Sequence, residues 1–297
     1  MRLPETVPGT SVIICSRGRP ELLGDVIQSA LAMRPLPAEL VVVDQSEEPH
    51  PGLSASLDSF GVDLRYLWRP DRGLSRARNQ GVLAATGDVL AFLDDDLRIQ
   101  RDWLGKAAEA LEELGPFHVL TSQIRPGTPE VPGAWAPSTI TDPERRSYSG
   151  RQDRDVLYPG CMVIRRSVFD EVGWFDESLG VGTDLPAAED NDFAYRLLAH
   201  GYTIDYRPEM VVIHRAWRDE GAMRRLRFDY GRGQGAFYVK HLMLREWSMA
   251  RRILLDVVRH LRRAVRRVAS GDLARCRDDL EYVRGLGSGA LARLRRR

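Results

Sequence analysis

The sequence is short of several features that usually announce a class of protein. Of its 297 residues only three are cysteine, Cys15, Cys161 and Cys276. They are too widely spaced, and odd in number, for a disulfide framework or a thiolate zinc site, so buried thiols are expected. No apolar run approaches the roughly 18 to 20 residues that cross a bilayer, and Val89 to Leu93 is typical of what is there. The opening MRLPETVPGT lacks the apolar centre of a signal peptide, which predicts a cytoplasmic location. Lysine is scarce as well, with only Lys106 and Lys240 among 43 basic residues. That skew reads as compositional bias, so arginine counts alone do not announce phosphate recognition. The rest is ordinary for a globular chain: 43% hydrophobic and 29% charged residues supply a full core.

The net charge of +1 conceals an imbalance. Residues 215–297 carry 22 Lys+Arg against 9 Asp+Glu, or +13, whereas residues 1–214 carry 21 against 33, or −12. An acidic body, 1–214, and a basic, mostly helical extension, 215–297, are expected. The body alternates strand and helix, which implies a largely parallel sheet with helices on its faces. Strands are expected at Val12 to Cys15, Leu40 to Val43, Leu64 to Trp68, Val89 to Leu93, Val119 to Ser122, Thr203 to Tyr206 and Met210 to Ile213. Helices are expected from Pro20, through Leu53 to Phe60, and at Leu74 to Ala85, Trp103 to Leu114, Val168 to Val172 and Glu189 to His200. Five prolines between Ile124 and Arg154 mark a long loop, read as a mobile lid.

Three consecutive carboxylates, Asp94, Asp95 and Asp96, end a buried strand, where open α/β sheets bind ligands. Like charges this close need a cation or donors, and a hard divalent ion shared with substrate phosphates answers that need. Strand alternation puts Asp94 and Asp96 on one face and Asp95 on the other. The competing reading is an acidic turn capping the helix at Trp103. Glu189, Asp190, Asn191 and Asp192 open a helix, where acids favourably meet the dipole. Asp190 tilts toward the apolar face, the placement of a general base, while Asp192 is expected to form a solvated i,i+4 pair with Arg196. His214 closes an apolar strand as a solvated or core histidine, or as a partner of carboxylates on a divalent ion. Trp135, a large ring on the proline-rich loop, suits a mobile acceptor contact.

In order and wording, the segments SVIICSRGRP, LVVVDQS, GLSRARNQGVLAATGDVLAFLDDD, PGCMVIRRSVFDEVGWFDE and EDNDFAYRLLAHGYTIDYRPEMVVIH resemble the inverting, DxD-containing family-2 glycosyltransferases. The resemblance covers Ser11 to about Arg215. It implies an α/β fold, a GT-A type Rossmann-like three-layer α/β/α sandwich, here with a C-terminal helical extension. It implies that Asp94 and Asp96 are the DxD pair, binding ribose and, with the diphosphate, Mg2+ or Mn2+. Asp96 and His214 are the metal candidates, and Ser16, Arg17, Asp44, Arg76, Asp94 and Asp95 the donor-binding ones, with Asp44 meeting the nucleobase. Asp190 is implied as the base, Trp174 and Phe175 fall where the family shapes its acceptor pocket, and Glu189 is a further acceptor candidate. Two positions depart from the family pattern: Arg17-Gly18 replaces an aromatic residue and Asn, and Gln45-Ser46-Glu47 replaces an Asn-Gly-Ser turn. UDP is the default base carrier, with GDP and dTDP open.

The function so implied is metal-dependent inverting transfer from a nucleotide-diphosphate sugar to the hydroxyl of a saccharide or lipid-linked acceptor, in polysaccharide or glycolipid synthesis. A nucleotidyltransferase-like enzyme and a non-catalytic nucleotide-sugar-binding protein are the alternatives. In the extension, Met249 to Val268 spaces apolar residues as one stripe with arginines on the remaining arc. Such a helix either lies peripherally on an anionic membrane surface, at the inner face of the cell membrane, or packs its stripe on the acidic body. Nucleic-acid binding is disfavoured, because few aromatics interleave the arginines.

Overall fold

The computed structural model describes residues 6–53, 61–130, 132–134, 136, 138–216 and 218–296. The expected helix through Leu53 to Phe60 lies almost wholly outside them, as does Trp135. The strands are β1 (Thr6–Ser16), β2 (Leu36–Asp44), β3 (Asp63–Trp68), β4 (Val89–Asp94), β5 (Leu97–Ile99), β6 (His118–Pro129), β7 (Arg146–Tyr148), β8 (Val163–Arg165) and β9 (Thr203–Ala216). The helices are α1 (Pro20–Leu31), α2 (Leu74–Ala84), α3 (Trp103–Leu114), α4 (Val168–Val172), α5 (Glu189–Ala199), α6 (Glu220–Met243), α7 (Ser248–Ala269) and α8 (Leu273–Leu294).

Among the described residues the strands form one sheet in the order β3-β2-β1-β4-β8-β6-β9-β5, with β7 paired to β9. β1, β2, β3 and β4 run parallel, and β8 and β5 pair antiparallel to their neighbours. Strand alternation divides the core. Val12 and Ile14 of β1 pack with α1 and α3 on one face, while Ile13 and Cys15 pack with α2, α4 and α5 on the other. The three-layer GT-A type sandwich is therefore the observed architecture, with helices at its C-terminal end. All three cysteines are free and buried, and burial pushes the Cys15 thiol up to about 12.

The long loop was overdrawn. β6 runs on to Pro129, Ile124 bridges Ile140, and β7 adds a short strand inside the segment read as structureless. The prolines misled because Pro126 and Pro129 lie near the end of a strand, where a missing N–H is tolerated. The two strands expected at 203–206 and 210–213 are one continuous β9, bulged where it pairs with β6.

Within the extension, α6 and α8 approach backbone to backbone. A Cβ at Gly231 would meet the Tyr282 carbonyl, one at Gly235 the Leu286 carbonyl, and one at Gly289 the Arg232 carbonyl. Gly235→Ala or Gly289→Ala is expected to cost about 1–3 kcal/mol by overpacking in urea unfolding. Gly287→Ala, which meets open space, is expected to be neutral or to gain up to about 1 kcal/mol. Equal stability of all three variants would refute the close seam.

Candidate active site

The site forms where β4 ends. β4 stops at Asp94, and Asp95 and Asp96 turn into β5, so strand alternation does not carry through the triplet. Asp94 faces Arg78, whose Nη2 donates to Oδ1 at 3.0 Å. Asp95 accepts from Ser16 Oγ at 2.7 Å and from Arg19 Nη1 at 2.9 Å. The same guanidinium lies 3.8 Å from Asp96. Burial pushes the Asp95 carboxyl up to about 6, with Arg19 opposing and Asp96 adding to the rise. The triplet does not cap α3: β5 intervenes, and Asp102 is the N-cap residue.

On the strand beside β5, His214 pairs with Leu97, and its Nε2 stands 3.7 Å from Asp96 Oδ1. Asp96 and His214 are thus brought together as expected. Among the described residues no group of three or more His, Cys, Asp or Glu is arranged to hold a metal. A two-residue protein contribution suits a hard cation that takes its other ligands from a diphosphate and water. At β2, Asp44 is 1% exposed and already accepts from Tyr66 Oη at 2.7 Å and Ser46 N at 2.9 Å. With Arg17, Gly18, Ser46, Glu47 and His50 it lines an open cavity of about 520 Å³.

The residue that sequence reasoning passed over is Arg78. It is buried, and its Nη1 donates to Glu189 Oε1 at 3.1 Å while Nη2 holds Asp94. Burial alone lowers its pKa, but Asp94 and then Glu189 more than offset that, so the guanidinium stays charged. Its neighbours fasten the same connection: Ser75 Oγ donates to the Leu179 carbonyl at 2.7 Å, and Asn79 bonds both N and O of Phe175 at 3.1 and 3.0 Å. A signal was present, since Arg78 shares its face with Ala77, Gly81 and Val82, and a charge on an apolar face must be paired. Arg76, the arginine favoured instead, pairs with Glu177 at 3.0 Å on the surface.

Asp190 is half-buried at the start of α5, its Oδ1 accepting from Asn191 N at 2.8 Å. Burial raises its pKa well above the usual carboxylate range, and the charges of Glu189 and Asp155 add to the rise. Tyr158 and Tyr230 are electrostatic neighbours of the same carboxylate, and Gln234 accepts from Asn191 Nδ2 at 2.7 Å. Tyr230 and Gln234 belong to α6, so the extension supplies part of the wall around Asp190. Glu189 is buried against Arg78 rather than open toward an acceptor. Trp174 lies beside Arg196, seven residues and about 10 Å along α5 from Glu189, where its carbonyl accepts from Arg196 Nη2. Phe175 is core, 4.4 Å from the Phe193 ring centroid.

Asp192 corrects the expected solvated pair. It is fully buried, and besides Arg196 at 3.0 Å it binds Lys240 Nζ at 2.7 Å and His241 Nε2 at 2.9 Å, both from α6. The pattern of α5 alone could not reveal partners that arrive some fifty residues later. Burial pushes this carboxyl up, but the His241 hydrogen bond and the Lys240 and Arg196 charges hold it below the usual range. A depressed folded-state pKa stabilises the fold above the ordinary value of about 3.9, and that contribution is lost as pH falls below it. Asp192→Asn is expected to destabilise the protein by about 3 kcal/mol near neutral pH and to flatten its stability loss below about pH 4. Unchanged thermal melting at pH 7 would show that this cluster does not hold α6.

Comparison with known proteins places this geometry. The family model for glycosyl transferase family 2 matches residues 11–173. The chain is 27% identical over 259 residues to the succinoglycan biosynthesis protein ExoM of Rhizobium meliloti, covering 84% of this chain and 82% of that protein. It is 27% identical over 178 residues to a glucosyl-dolichyl phosphate glucuronosyltransferase of Haloferax volcanii, covering 57% of this chain and 56% of that one. Among solved structures, the mannosyltransferase PcManGT from Pyrobaculum calidifontis, in complex with GDP-Man and Mn2+, superposes with a TM-score of 0.62. It is 15% identical, over 98% of this chain and 89% of that one, a likeness of fold.

Proposed function

The chain belongs to glycosyl transferase family 2 and is a glycosyltransferase, and from that premise we propose that it moves a sugar from a nucleotide-diphosphate donor to an acceptor hydroxyl with inversion. The observation that carries this reading is the Arg78 bridge, which fixes the donor-side Asp94 to Glu189, the residue beside Asp190. A single displacement needs a base on the acceptor side of the anomeric carbon and a stabilised leaving group on the other. Asp190, with its raised pKa, is suited to take the hydroxyl proton.

The nucleobase is assigned to the cavity between Arg17 and Asp44, with UDP as the default carrier. Uracil, guanine and thymine each present a ring N–H that suits an acidic wall, so GDP and dTDP donors fit the same chemistry. Asp96 and His214 are assigned as the holders of Mg2+ or Mn2+; such an ion, when bound, neutralises charge developing on the leaving diphosphate. Ser16 and Arg19 position Asp95 beside it, and Asp94 is assigned to the ribose. The relatives, one named for succinoglycan biosynthesis and one a glucosyl-dolichyl phosphate glucuronosyltransferase, support a saccharide or lipid-linked acceptor.

Two measurements test this. Asp190→Asn is expected to leave donor affinity nearly unchanged while turnover falls by about 10² to 10⁴. In the parent enzyme kcat should fall with acid through an apparent pKa above the ordinary value of about 3.9, because protonation removes the base. Near-normal turnover of the variant would move the base elsewhere. Calorimetry with UDP and GDP should show tighter binding with Mn2+ or Mg2+ than with chelator, and Asp96→Ala should abolish that difference. Equal affinity with and without metal would refute the assignment of Asp96 and His214.

A further inference from the structure

Helix α7 is docked through a side that carries charged groups inward. On the buried side, Arg252 reaches Asp155 and lies over the Phe237 ring, 5.2 Å from its centroid. Asp256 accepts from Tyr238 Oη at 3.0 Å and Tyr282 Oη at 2.9 Å, and His260 Nδ1 binds Asp279 Oδ1 at 2.9 Å. The apolar stripe is split: Met249 and Ala264 are buried and Ile253 and Val257 pack against the Phe237 cluster, while its other edge faces out. Trp247 at the N-cap is 72% exposed, Leu254 62% and Val265 70%, with Leu261 and Val268 exposed on the same line. Rolling the helix to bury that edge would strand Arg252 and Asp256 away from their partners, a larger cost than the apolar burial returns.

We propose that the outward face of α7 is a docking surface for an anionic lipid bilayer. Charge identifies the occupant. α7 carries seven arginines and a single acid, Asp256, which is on the inner side. At 100° per residue, Arg251, Arg262 and Arg266 border the stripe, and Arg262, Arg263 and Arg266 form no ion pair among the described residues. An apolar ridge with a cationic border matches acyl chains beneath anionic headgroups. A second copy of the chain would bring two arginine borders together, and a polyphosphate strand would leave the ridge in water. The proposal stands apart from the glycosyltransfer reading, because it uses none of the residues assigned to that reaction.

The full-length chain should pellet with vesicles of equal parts phosphatidylcholine and phosphatidylglycerol, and stay in the supernatant with phosphatidylcholine alone or at high salt. Leu261→Glu/Val265→Glu and Arg262→Glu/Arg266→Glu, all at exposed positions, should each lower the partition coefficient by at least about tenfold. Donor-dependent turnover on a soluble acceptor should be unchanged in both. Three results would overturn the proposal: no pelleting of the parent protein with anionic vesicles, pelleting of the Leu261→Glu/Val265→Glu variant equal to the parent, or lipid-free light scattering in which that variant converts a dimer to a monomer.

Discussion

The site depends on one buried guanidinium. Asp94 and Glu189 belong to elements almost a hundred residues apart, and the Arg78 fork is what holds them in register. Two charge-assisted bonds from one buried guanidinium fix distance and orientation together, and loss of Arg78 would leave Glu189 with an uncompensated buried charge. The surrounding chain is shaped to permit the bridge. Gly160 passes so close under Asp94 that a Cβ there would occupy the carboxylate's space. Gly180, at φ +103°, lets its loop run against Ser75 and Glu189. The run Ser75 to Asn79 therefore works as a unit: Ala77 packs in the core, Arg78 bridges, and Ser75 and Asn79 hold the approach to α5.

Two carboxylates two residues apart on α5 are driven in opposite directions by their surroundings. Asp190 faces other acids and its pKa rises, while Asp192 meets three cationic or donor side chains and its pKa falls. On the proposed reading, that separation lets a single helical turn supply a proton acceptor and a structural anchor. The anchor is where the extension attaches. Lys240 and His241 clamp Asp192, and the glycines of α6 let α8 and the α5 N-terminus come close. An acidic body and a basic extension attract at long range, but the attachment is made by a few desolvated pairs and by apolar packing of Ala188, Tyr195, Leu179 and Leu185 against α6.

The sheet, its helices and the main carboxylates were legible in the sequence because each rests on local patterning. Apolar runs ending at Asp44 and Asp94, and a helix opening at Glu189, are set by residues that lie side by side along the chain. What was not legible depended on distant partners. Asp192 reads as half of a solvated pair until a lysine from α6 is brought to it, and nothing local names the two carboxylates that Arg78 holds. Likewise the stripe on α7 was visible as a period, but a period does not say which side faces inward. Arg252, Asp256 and His260 settle that through Asp155, Tyr238, Tyr282 and Asp279, all contributed by other segments.

The division of labour along the chain follows from the same geometry. The matched family segment, residues 11–173, contains the strands and the first helices that carry Arg17, Asp44, Arg78 and Asp94 to Asp96, and it ends before Asp190. The walls around Asp190 come from Asp155, Tyr158 and the α6 residues Tyr230 and Gln234. A donor pocket built on parallel strands is rigid and can be shared widely, because its side chains sit at strand ends fixed by the sheet. An acceptor pocket walled by a separately packed helix can change its side chains without disturbing those strands. On the proposed reading, selectivity for the acceptor therefore resides mainly in α6 and in the elements that hold it, with the Asp192 clamp and the glycine seam setting how far that wall can move.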